Sequence, residues 1–362
     1  MRTLAFLTDG PSDSQSVVHR VRYVADELAK LGYLTRSFFG KRGRIMGHRY
    51  TRITLGAAVC CLRALPEIEV LVVHRAGDPV VGLLAKIHKR QGGILVFDID
   101  DATYLRWNIL TTRISQIVRE SDLVIVGSHA IADHLREWNH NVHILPSGVD
   151  TALFRPSLHL GVVRKPVIGW LGDGPAHVRN LELIVEPLQA LANHHDFKFK
   201  MVSSLGSPQI RKAFAKLASR VEVDFGSPEW VDIHRIPELV GDFDVSVMPL
   251  SDDAFNRSKA GQKLLETMSM EIPVVASDLG ENSHIVTHDV DGFLVSSVED
   301  WEEALRSLID DPTLRQRMGR AGRSKILERY SKEVCGSNFA RIVESVGRRY
   351  LPLRGAAEVE AT

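Results

Sequence analysis

The sequence has little of what marks a secreted or membrane-spanning protein. Its three cysteines are Cys60, Cys61 and Cys335, and their spacing fits neither a disulfide framework nor a set of zinc ligands. No apolar run approaches the roughly eighteen residues of a membrane helix, and the apolar stretch before Asp9 is too short for a signal-peptide core. These absences favour a cytoplasmic protein.

Neither sign of charge dominates, because 45 Lys and Arg face 45 Asp and Glu, which argues against a protein whose whole surface binds nucleic acid. Locally, however, no acidic residue lies between Glu27 and Glu67. The cations in this gap are Lys30, Arg36, Lys41, Arg42, Arg44, Arg49, Arg52 and Arg63. The segment 36–52 also carries three aromatic residues. It predicts either a solvated charged face or attraction to an anionic membrane surface.

Short apolar runs alternate with segments of helical period along the 362 residues, a length that favours two domains. This alternation predicts parallel sheets covered by helices on both faces. The predicted strands are 3–8, 70–73, 94–97 and 123–126, then 167–172, 197–202, 243–250 and 272–277. We therefore expect an α/β protein of two Rossmann-like, doubly wound parallel-sheet domains, with ligands beyond the carboxyl ends of the strands.

The pattern pauses over 147–166, a stretch with glycine and proline and no clean period. We place the domains at 1–155 and 156–335, with a tail over 353–362 that is expected to fray. The chain reads as helical from about 298 to 350, and a terminal helix at about 336–352 is expected to pack back on the first domain.

The most informative stretch is 248–282, where a strand is followed by a polar loop and a helix that opens near Ala260 and Gly261. Free amides at a helix start form an anion site. Lys259 and Lys263 are four residues apart, so they are predicted to share a helix face, with Glu266 one turn deeper. Such a site would offer cations to a diphosphate and a carboxylate to sugar hydroxyls. The alternative is an exposed helix with a Lys263–Glu266 ion pair.

Several segments then resemble a known family. KLLETMSMEIPVVASDLGEN, DGFLV and LRQRMGRAGR look like the C-terminal domain of glycosyltransferase family 4, and DLVIVGSHAIADHL and VHILPSGVDTALFRP look like the end of its N-terminal domain. The Lys-x-x-x-Lys loop at 259–263 resembles a bacterial branch. The resemblance implies two domains facing across a cleft (GT-B), retaining transfer from a nucleotide sugar, and no bound metal or other cofactor.

The resemblance also implies roles for individual residues. Glu266 matches the second glutamate of a family motif and should hold the donor ribose, whereas the position of the first glutamate holds Ser258. Lys259 and Lys263, with Gly261 between them, match the donor loop of the branch and should neutralise the diphosphate.

A second donor-binding loop is expected after the strand at 167–172. Gly172, Asp173 and Gly174 follow that strand, and the two glycines permit a ligand to approach the backbone closely. Members of the family often place a basic residue near here for phosphate, and Arg179 is the candidate in this sequence. The alternative is a solvated helix residue.

In the N-terminal half, His74 ends a predicted strand, and Asp98, Asp100 and Asp101 crowd the end of the next one. The family often has a histidine near the acceptor, so His74 is a catalytic candidate; the alternative is a structural histidine. Asp100 or Asp101 would contact the acceptor hydroxyl or act as a base, or one of the carboxylates would cap the following helix.

Three other interpretations stay open. Asp98 and Asp100 match the metal-binding Asp-x-Asp of the other large glycosyltransferase fold. ILVFDIDDAT and WLGDGPAH resemble motifs of haloacid dehalogenase-type, Mg²⁺-dependent phosphatases, although Thr103 and His177 depart from that pattern. The missing first glutamate also suits a non-catalytic nucleotide-sugar binder. The function best supported is a retaining glycosyltransferase, cytoplasmic or membrane-peripheral, acting on a glycan, a lipid-linked or a small-molecule acceptor.

Overall fold

The computed structural model describes residues 2–45, 48–75, 78–105, 108–157, 164–172, 174–202, 207–226 and 232–350. The chain divides into two compact units, which are described separately. The first unit comprises Met1–Gly148 and Lys332–Thr362, and the second comprises Val149–Ser331. Each unit contains a six-stranded parallel sheet with helices, so the predicted α/β class is confirmed. In the described part of the chain, no helix combines the length and the apolarity needed to cross a bilayer.

The sheet of the first unit has the strand order β2-β1-β5-β6-β7-β8, and β3 and β4 form a separate antiparallel hairpin. Its strands are β1 Thr3–Thr8, β2 Leu34–Phe38, β3 Gly40–Ile45, β4 His48–Ile53, β5 Val70–His74, β6 Ile94–Ile99, β7 Leu123–Val126 and β8 Val142–Ile144.

Helices connect the strands of this unit. They are α1 Gln15–Val17, which continues through a π-helical turn Val18–Arg22 into α2 Tyr23–Lys30, then α3 Leu55–Ala64, α4 Pro79–Arg90, α5 Asn108–Glu120 and α6 His129–Leu135. Short 3₁₀ turns occupy Leu65–Glu67 and Thr103–Leu105.

The sheet of the second unit has the order β11-β10-β9-β12-β13-β14. Its strands are β9 Val167–Leu171, β10 Lys198–Val202, β11 Glu222–Asp224, β12 Val245–Met248, β13 Val274–Ser277 and β14 Gly292–Val295. Its helices are α7 Val178–Glu182, α8 Val185–Leu191, α9 Pro208–Ala213, α10 Ala215–Ala218, α11 Ile236–Val240, α12 Ala254–Arg257, α13 Gln262–Ser269, α14 Asn282–Ile285, α15 Val298–Asp310 and α16 Pro312–Arg329. Gly174–His177 and Ile233–Arg235 are 3₁₀ turns.

The central strands coincide with the predicted apolar runs, because each is buried on both faces of its sheet. β1, β5, β6 and β7 are almost wholly buried, as are β9 and β12. From about residue 177 to 192 the sequence predicts one helix, but the structure has two. The break lies between Glu182 and Val185, where Leu183 and Ile184 make 3₁₀-type bonds to Asn180 and Leu181.

The last helix, α17 Lys332–Tyr350, belongs to the first unit and packs against α2. Phe339 is buried with Phe6 of β1, and their ring centroids lie 5.9 Å apart. The approach to α2 is close, because a Cβ atom built on Gly336 would lie 2.4 Å from Cβ of Glu27. Glycine at this position therefore lets the two helices meet.

The division between the units falls at Gly148/Val149 and at Ser331/Lys332, rather than at 155/156 and 335/336. The backbone N–H of Val149 donates to the carbonyl of Tyr330 at 2.8 Å, and Val149 and Ser331 form an isolated parallel bridge. Phe154 is fully buried within the second unit, and its carbonyl accepts from Ser269 at 2.7 Å. The residues just after Gly148 are thus part of the second unit.

We expect Gly336→Ala to lower the free energy of unfolding by about 1–3 kcal/mol, because the added methyl group forces α17 away from α2. Gly82→Ala in α4 is the matched control, since a Cβ there meets nothing within 4 Å. Helix propensity alone should make that control neutral or up to about 1 kcal/mol more stable. Urea unfolding of both variants checks this, and equal effects would contradict the packing argument.

Candidate functional site

The parallel register of the first unit gathers polar groups at the carboxyl edge of its sheet. Thr8 of β1 lies opposite His74 of β5, and His74 lies opposite Asp98 of β6. The loop after β1 leads into α1 and the π-helical turn, which bring Ser16 and Arg20 over the same edge. Such turns are frequent at functional sites.

His74 is held between two oxygen-bearing side chains. Its Nδ1 lies 2.7 Å from Oδ2 of Asp98, and its Nε2 lies 3.0 Å from Oγ of Ser16. The ring is fully buried. Arg20 completes the arrangement from the other side, because its guanidinium forms a buried ion pair with Asp98 through Nε at 3.2 Å and through Nη2. His74 is thus fixed in orientation by its neighbours.

The charges of this cluster are closely matched. Burial opposes ionisation of Asp98, but Arg20 and His74 outweigh it and keep the pKa of Asp98 below its usual value. Burial likewise opposes ionisation of Asp100, but Arg75, His74 and Arg20 outweigh it and lower the pKa of Asp100. Ser16 donates to Oδ2 of Asp100 at 2.6 Å, and the same hydroxyl oxygen lies 3.0 Å from Nε2 of His74. Ser16 therefore links His74 to Asp100.

Arg75 presents the exposed part of the cluster. Its backbone is left-handed, with φ of 56°, which is strained for a residue with a side chain. Its N–H donates to the carbonyl of Asp98 at 3.0 Å, and its guanidinium pairs with Asp100 at 2.6 Å and with Asp101. The side chain of Asp101 is 40% exposed and that of Arg75 is 25% exposed, whereas Asp100 is largely covered. Asp101 and Arg75 are therefore the members that a substrate can reach.

In the second unit, Lys263 approaches the carboxyl end of β9. Its Nζ would lie 2.8 Å from a Cβ built on Gly172, and it is 5.9 Å from the ring centroid of Trp170. Trp170 is buried, and His177 packs against it edge-on with centroids 5.6 Å apart. A glycine at 172 thus leaves the room that the ammonium group occupies.

Lys259 approaches the same histidine. Its Nζ lies 3.3 Å from Nδ1 and 3.2 Å from Nε2 of His177. Burial, together with the charges of Lys263 and Lys259, lowers the pKa of His177 far below its ordinary value. His177 is therefore neutral, and the structure brings two ammonium groups to one uncharged ring.

The two lysines do not converge for the predicted reason. Lys259 precedes α13, which begins at Gln262, so the prediction that Lys259 and Lys263 share a helix face is wrong. Gly261 takes the left-handed conformation at the N-cap, with φ of 67°, and a Cβ there would lie 2.3 Å from Cδ1 of Ile285. This glycine turns the chain between the two lysines, which explains why both approach His177.

An amide network holds the loop that carries Lys259. Oδ1 of Asn180 accepts from the N–H of Ser251 at 2.9 Å and from Nδ2 of Asn256 at 3.0 Å. Nδ2 of Asn256 also donates to Asp253 at 2.7 Å, and Nδ2 of Asn180 lies 3.0 Å from Nδ1 of His177. Asn180 and Asn256 are buried, so this network fixes the loop, α7 and His177 together.

The other predicted donor-site residues differ in how far their side chains are buried. Glu266 follows Lys263 along α13 and is only 2% exposed, with Nε2 of Gln262 at 3.4 Å from one of its oxygens. Ser258 is buried and donates to the carbonyl of Ala254 at 2.7 Å, which closes α12. Gly174 begins a 3₁₀ turn, Arg179 is exposed on α7, and Asp173 lies outside the described residues.

Sequence reasoning left several members of these clusters without a role. In the first unit they are Ser16, Arg20 and Arg75, and in the second they are His177, Asn180 and Asn256. Most contacts of these residues join positions that lie far apart in the chain, so no local sequence motif predicts the contacts. The one available signal was His177, which lies three residues after Gly174.

The fold of the chain is that of GT-B glycosyltransferases. Sucrose-phosphate synthase from Thermosynechococcus elongatus superposes with a TM-score of 0.70 at 16% identity, over 96% of this chain and 100% of that one. Alr3699/HepE of Anabaena, solved in complex with UDP, superposes with a TM-score of 0.69 at 16% identity, over 95% of this chain and 100% of that one. At such identities the likeness shows the fold alone.

The family comparison concerns the second unit. Residues 165–311 match the model of a family described as Glycosyl transferases group 1. Alpha-maltose-1-phosphate synthase of Mycolicibacterium smegmatis is 27% identical over 249 residues, which are 59% of this chain and 60% of that protein. The aligned part is thus less than two thirds of that relative. Over residues 165–311, the second unit is therefore similar to the group 1 glycosyltransferase domain.

We expect Arg20→Leu to cost about 3–5 kcal/mol of unfolding free energy, because it leaves the carboxylate of Asp98 buried without its cation. Arg22→Leu is the matched control two residues away on an exposed position, where a change within about 0.5 kcal/mol is expected. Chemical denaturation of both variants measures the difference. A loss for Arg20→Leu no larger than that of the control would contradict a structural ion pair.

The neutral His177 predicts a pH dependence of stability. Since folding lowers its pKa below the ordinary value of 6.5, the unfolded chain takes up a proton below that pH and the folded chain does not. The contribution of neutral His177 to the free energy of unfolding is thus fully present above pH 6.5 and falls by about 1.4 kcal/mol per pH unit below it. Between pH 7 and pH 5, wild type should lose roughly 2 kcal/mol more than His177→Gln. Parallel curves for the two proteins would contradict a buried neutral ring.

Proposed function

We propose that the protein is a retaining glycosyltransferase of family 4 that moves a sugar from a nucleotide-sugar donor to an acceptor. The observation that carries the proposal is the approach of Lys259 and Lys263 to the neutral His177, beside Gly172 at the carboxyl end of β9. This cluster lies within the residues that match the group 1 glycosyltransferase model.

The second unit binds the donor diphosphate in this proposal. Lys259 and Lys263 supply two positive charges, and the amides at the start of α13 add the positive end of the helix dipole. When the glycosidic bond breaks, negative charge grows on the leaving nucleoside diphosphate, and preorganised cations stabilise it without a rearrangement of solvent. The two lysines let this chain neutralise the diphosphate without a required metal ion.

In this proposal Glu266 binds the donor ribose. The role requires one carboxylate oxygen of Glu266 to face the nucleotide from the first turns of α13. Its deep burial distinguishes it from the exposed ion pair with Lys263 that was the alternative. Alr3699/HepE, which shares the fold, has been solved with UDP and with UDP-glucose, and a nucleotide sugar of this type is the donor class proposed.

The first unit binds the acceptor through Arg75 and Asp101, the exposed members of its cluster. Asp101 accepts a hydrogen bond from the hydroxyl of a glycan, lipid-linked or small-molecule acceptor, and Arg75 orients that acceptor. His74 and Asp100 lie behind these two residues. Asp100 balances the charge of Arg75 and fixes its position, and Asp100 and His74 together fix the position of Ser16. The strained backbone of Arg75 is consistent with a site built for a ligand.

A non-catalytic nucleotide-sugar binder is the second candidate, and Ser258 is the observation that favours it. Its hydroxyl is committed to the carbonyl of Ala254, so it does not replace the carboxylate that the family motif places there. The phosphatase interpretation is not favoured, since the family match lies in 165–311 and leaves the Asp98–Asp101 segment outside it.

Calorimetric titration with UDP, GDP, ADP and dTDP and their sugars, with and without Mg²⁺, tests the proposal. We expect one nucleotide series to bind without the metal. Lys259→Ala and Lys263→Ala should each weaken its binding by roughly ten- to a hundredfold, the value of one charge-assisted hydrogen bond. Lys216→Ala, on an exposed position of the same unit, should bind as wild type does. Unchanged binding by both site variants would remove the lysines from the donor site.

Glu266→Ala and the isosteric Glu266→Gln separate ribose binding from folding. Both should raise the donor dissociation constant while thermal unfolding of Glu266→Gln stays close to wild type. Release of free sugar or transfer to an added acceptor then distinguishes a transferase from a binding protein, and Lys259→Ala should lower that turnover roughly a hundredfold. Donor binding without release or transfer would favour the non-catalytic alternative.

A further inference from the structure

The ring of His177 carries a proton whose position follows from the hydrogen bonds around it. The side chain is only 7% exposed. Burial and the charges of Lys263 and Lys259 lower its pKa, so the ring is neutral and holds one proton, either on Nδ1 or on Nε2. The nitrogen that holds the proton donates a hydrogen bond, and the other nitrogen accepts one.

The orientation of a neighbouring amide, that of Asn256, is fixed by two acceptors. Its Nδ2 lies 2.7 Å from a carboxylate oxygen of Asp253 and 3.0 Å from the carbonyl oxygen of Ser251. Because both of these oxygens accept, the atom facing them is the NH₂ group of Asn256. The same NH₂ group lies 3.0 Å from Oδ1 of Asn180, so Oδ1 is correctly the oxygen of the second amide.

The amide of Asn180 in turn fixes the proton of His177. Oδ1 of Asn180 also accepts from the backbone N–H of Ser251 at 2.9 Å, which leaves Nδ2 as the end that faces the ring. This NH₂ group lies 3.0 Å from Nδ1 of His177. An NH₂ group donates, so Nδ1 accepts and holds no proton. The single proton of the neutral ring therefore lies on Nε2.

The N–H of Nε2 has no acceptor within the part of the chain that the structure describes. Its contact there is Nζ of Lys259, which lies 3.2 Å from Nε2 and 3.3 Å from Nδ1. A point so nearly equidistant from both nitrogens lies over the face of the ring, because in the ring plane it would collide with Cε1. An ammonium group also has no lone pair with which to accept. A buried N–H without an acceptor costs free energy, and the two ammonium groups beside it favour an acceptor with negative charge.

We infer that His177 donates its Nε2 proton to an oxygen of the donor diphosphate, beside the ammonium groups of Lys259 and Lys263. The inference rests on the proposed function and extends it, because it adds a neutral hydrogen-bond donor to the two cations. A phosphate oxygen accepts from an N–H and from an ammonium group at once, so a single oxygen can contact both His177 and Lys259. A neutral donor does so without adding a third positive charge to the cluster.

Calorimetric titration with inorganic pyrophosphate tests the inference, because this probe carries a diphosphate without a base or a sugar. Wild type should bind it. His177→Asn keeps an oxygen that accepts from Asn180 but has no group at the position of Nε2, so it should bind roughly tenfold more weakly. His177→Gln can place an N–H near the position of Nε2 and should bind within about threefold of wild type. His194→Asn, at an exposed histidine of the same unit, should bind as wild type does.

A second measurement uses the wild-type chain, so it does not depend on the folding of a variant. With nitrogen-labelled histidine, NMR should show a protonated Nε2 and an unprotonated Nδ1 for His177, assigned by the loss of these signals in His177→Gln. Addition of pyrophosphate should shift the Nε2 signal of His177 and leave that of His194 unchanged. A proton on Nδ1, or an Nε2 signal that stays unchanged while pyrophosphate binds, would overturn the inference.

The results also separate this inference from the proposed function. Equal binding of pyrophosphate by wild type and a folded His177→Asn variant would overturn the role of His177 and leave donor binding by the two lysines standing. A wild type that binds nucleoside diphosphates but not pyrophosphate would overturn it as well. Weaker pyrophosphate binding by His177→Asn, in a protein that transfers no sugar, would support the contact of His177 and contradict only the transferase.

Discussion

Both candidate clusters depend on the burial of a parallel sheet on its two faces. Helices and apolar side chains cover those faces, so polar groups gather where the strands end. The in-register pairing of β1, β5 and β6 alone puts Thr8, His74 and Asp98 side by side. In the second unit, β9 pairs with both β10 and β12, and its last residues lead to Gly172 and His177. A slip of one residue in either register would separate these groups and turn them toward the core.

The charged cluster of the first unit does not add to its stability. A buried pair such as Arg20 and Asp98 is no more stabilising than apolar side chains of the same volume, and Arg75 adds a left-handed backbone to that cost. The cluster instead fixes the positions of its side chains, because His74, Ser16 and Asp100 each contact two or more partners. Asp101, Arg75 and, in part, Ser16 reach solvent. An arrangement that fixes its interior and exposes one carboxylate and one guanidinium suits recognition better than it suits stability.

The sequence predicted the elements whose burial is uniform and missed those whose environment is mixed. Continuous apolar runs identified β1, β5, β6 and β7, whereas β2 and β11 are edge strands with polar residues, so they carry no such run. The helical spacing predicted for Lys259 and Lys263 is absent from the structure, because α13 begins only at Gln262. Their meeting point, His177, lies 82 residues from Lys259, and no local pattern reports a contact of that separation.

That meeting point also bears on how the donor would be held. Two ammonium groups at one buried ring repel each other, and a protonated His177 would add a third positive charge, which is why burial and the lysines keep it neutral. The network of Asn180 and Asn256 holds the loop in place despite this repulsion. A bound diphosphate would turn the repulsion into attraction without moving either lysine far. Under the proposed function, since Ser258 is committed to closing α12, the protein would hold the donor by its phosphates rather than by the transferred sugar.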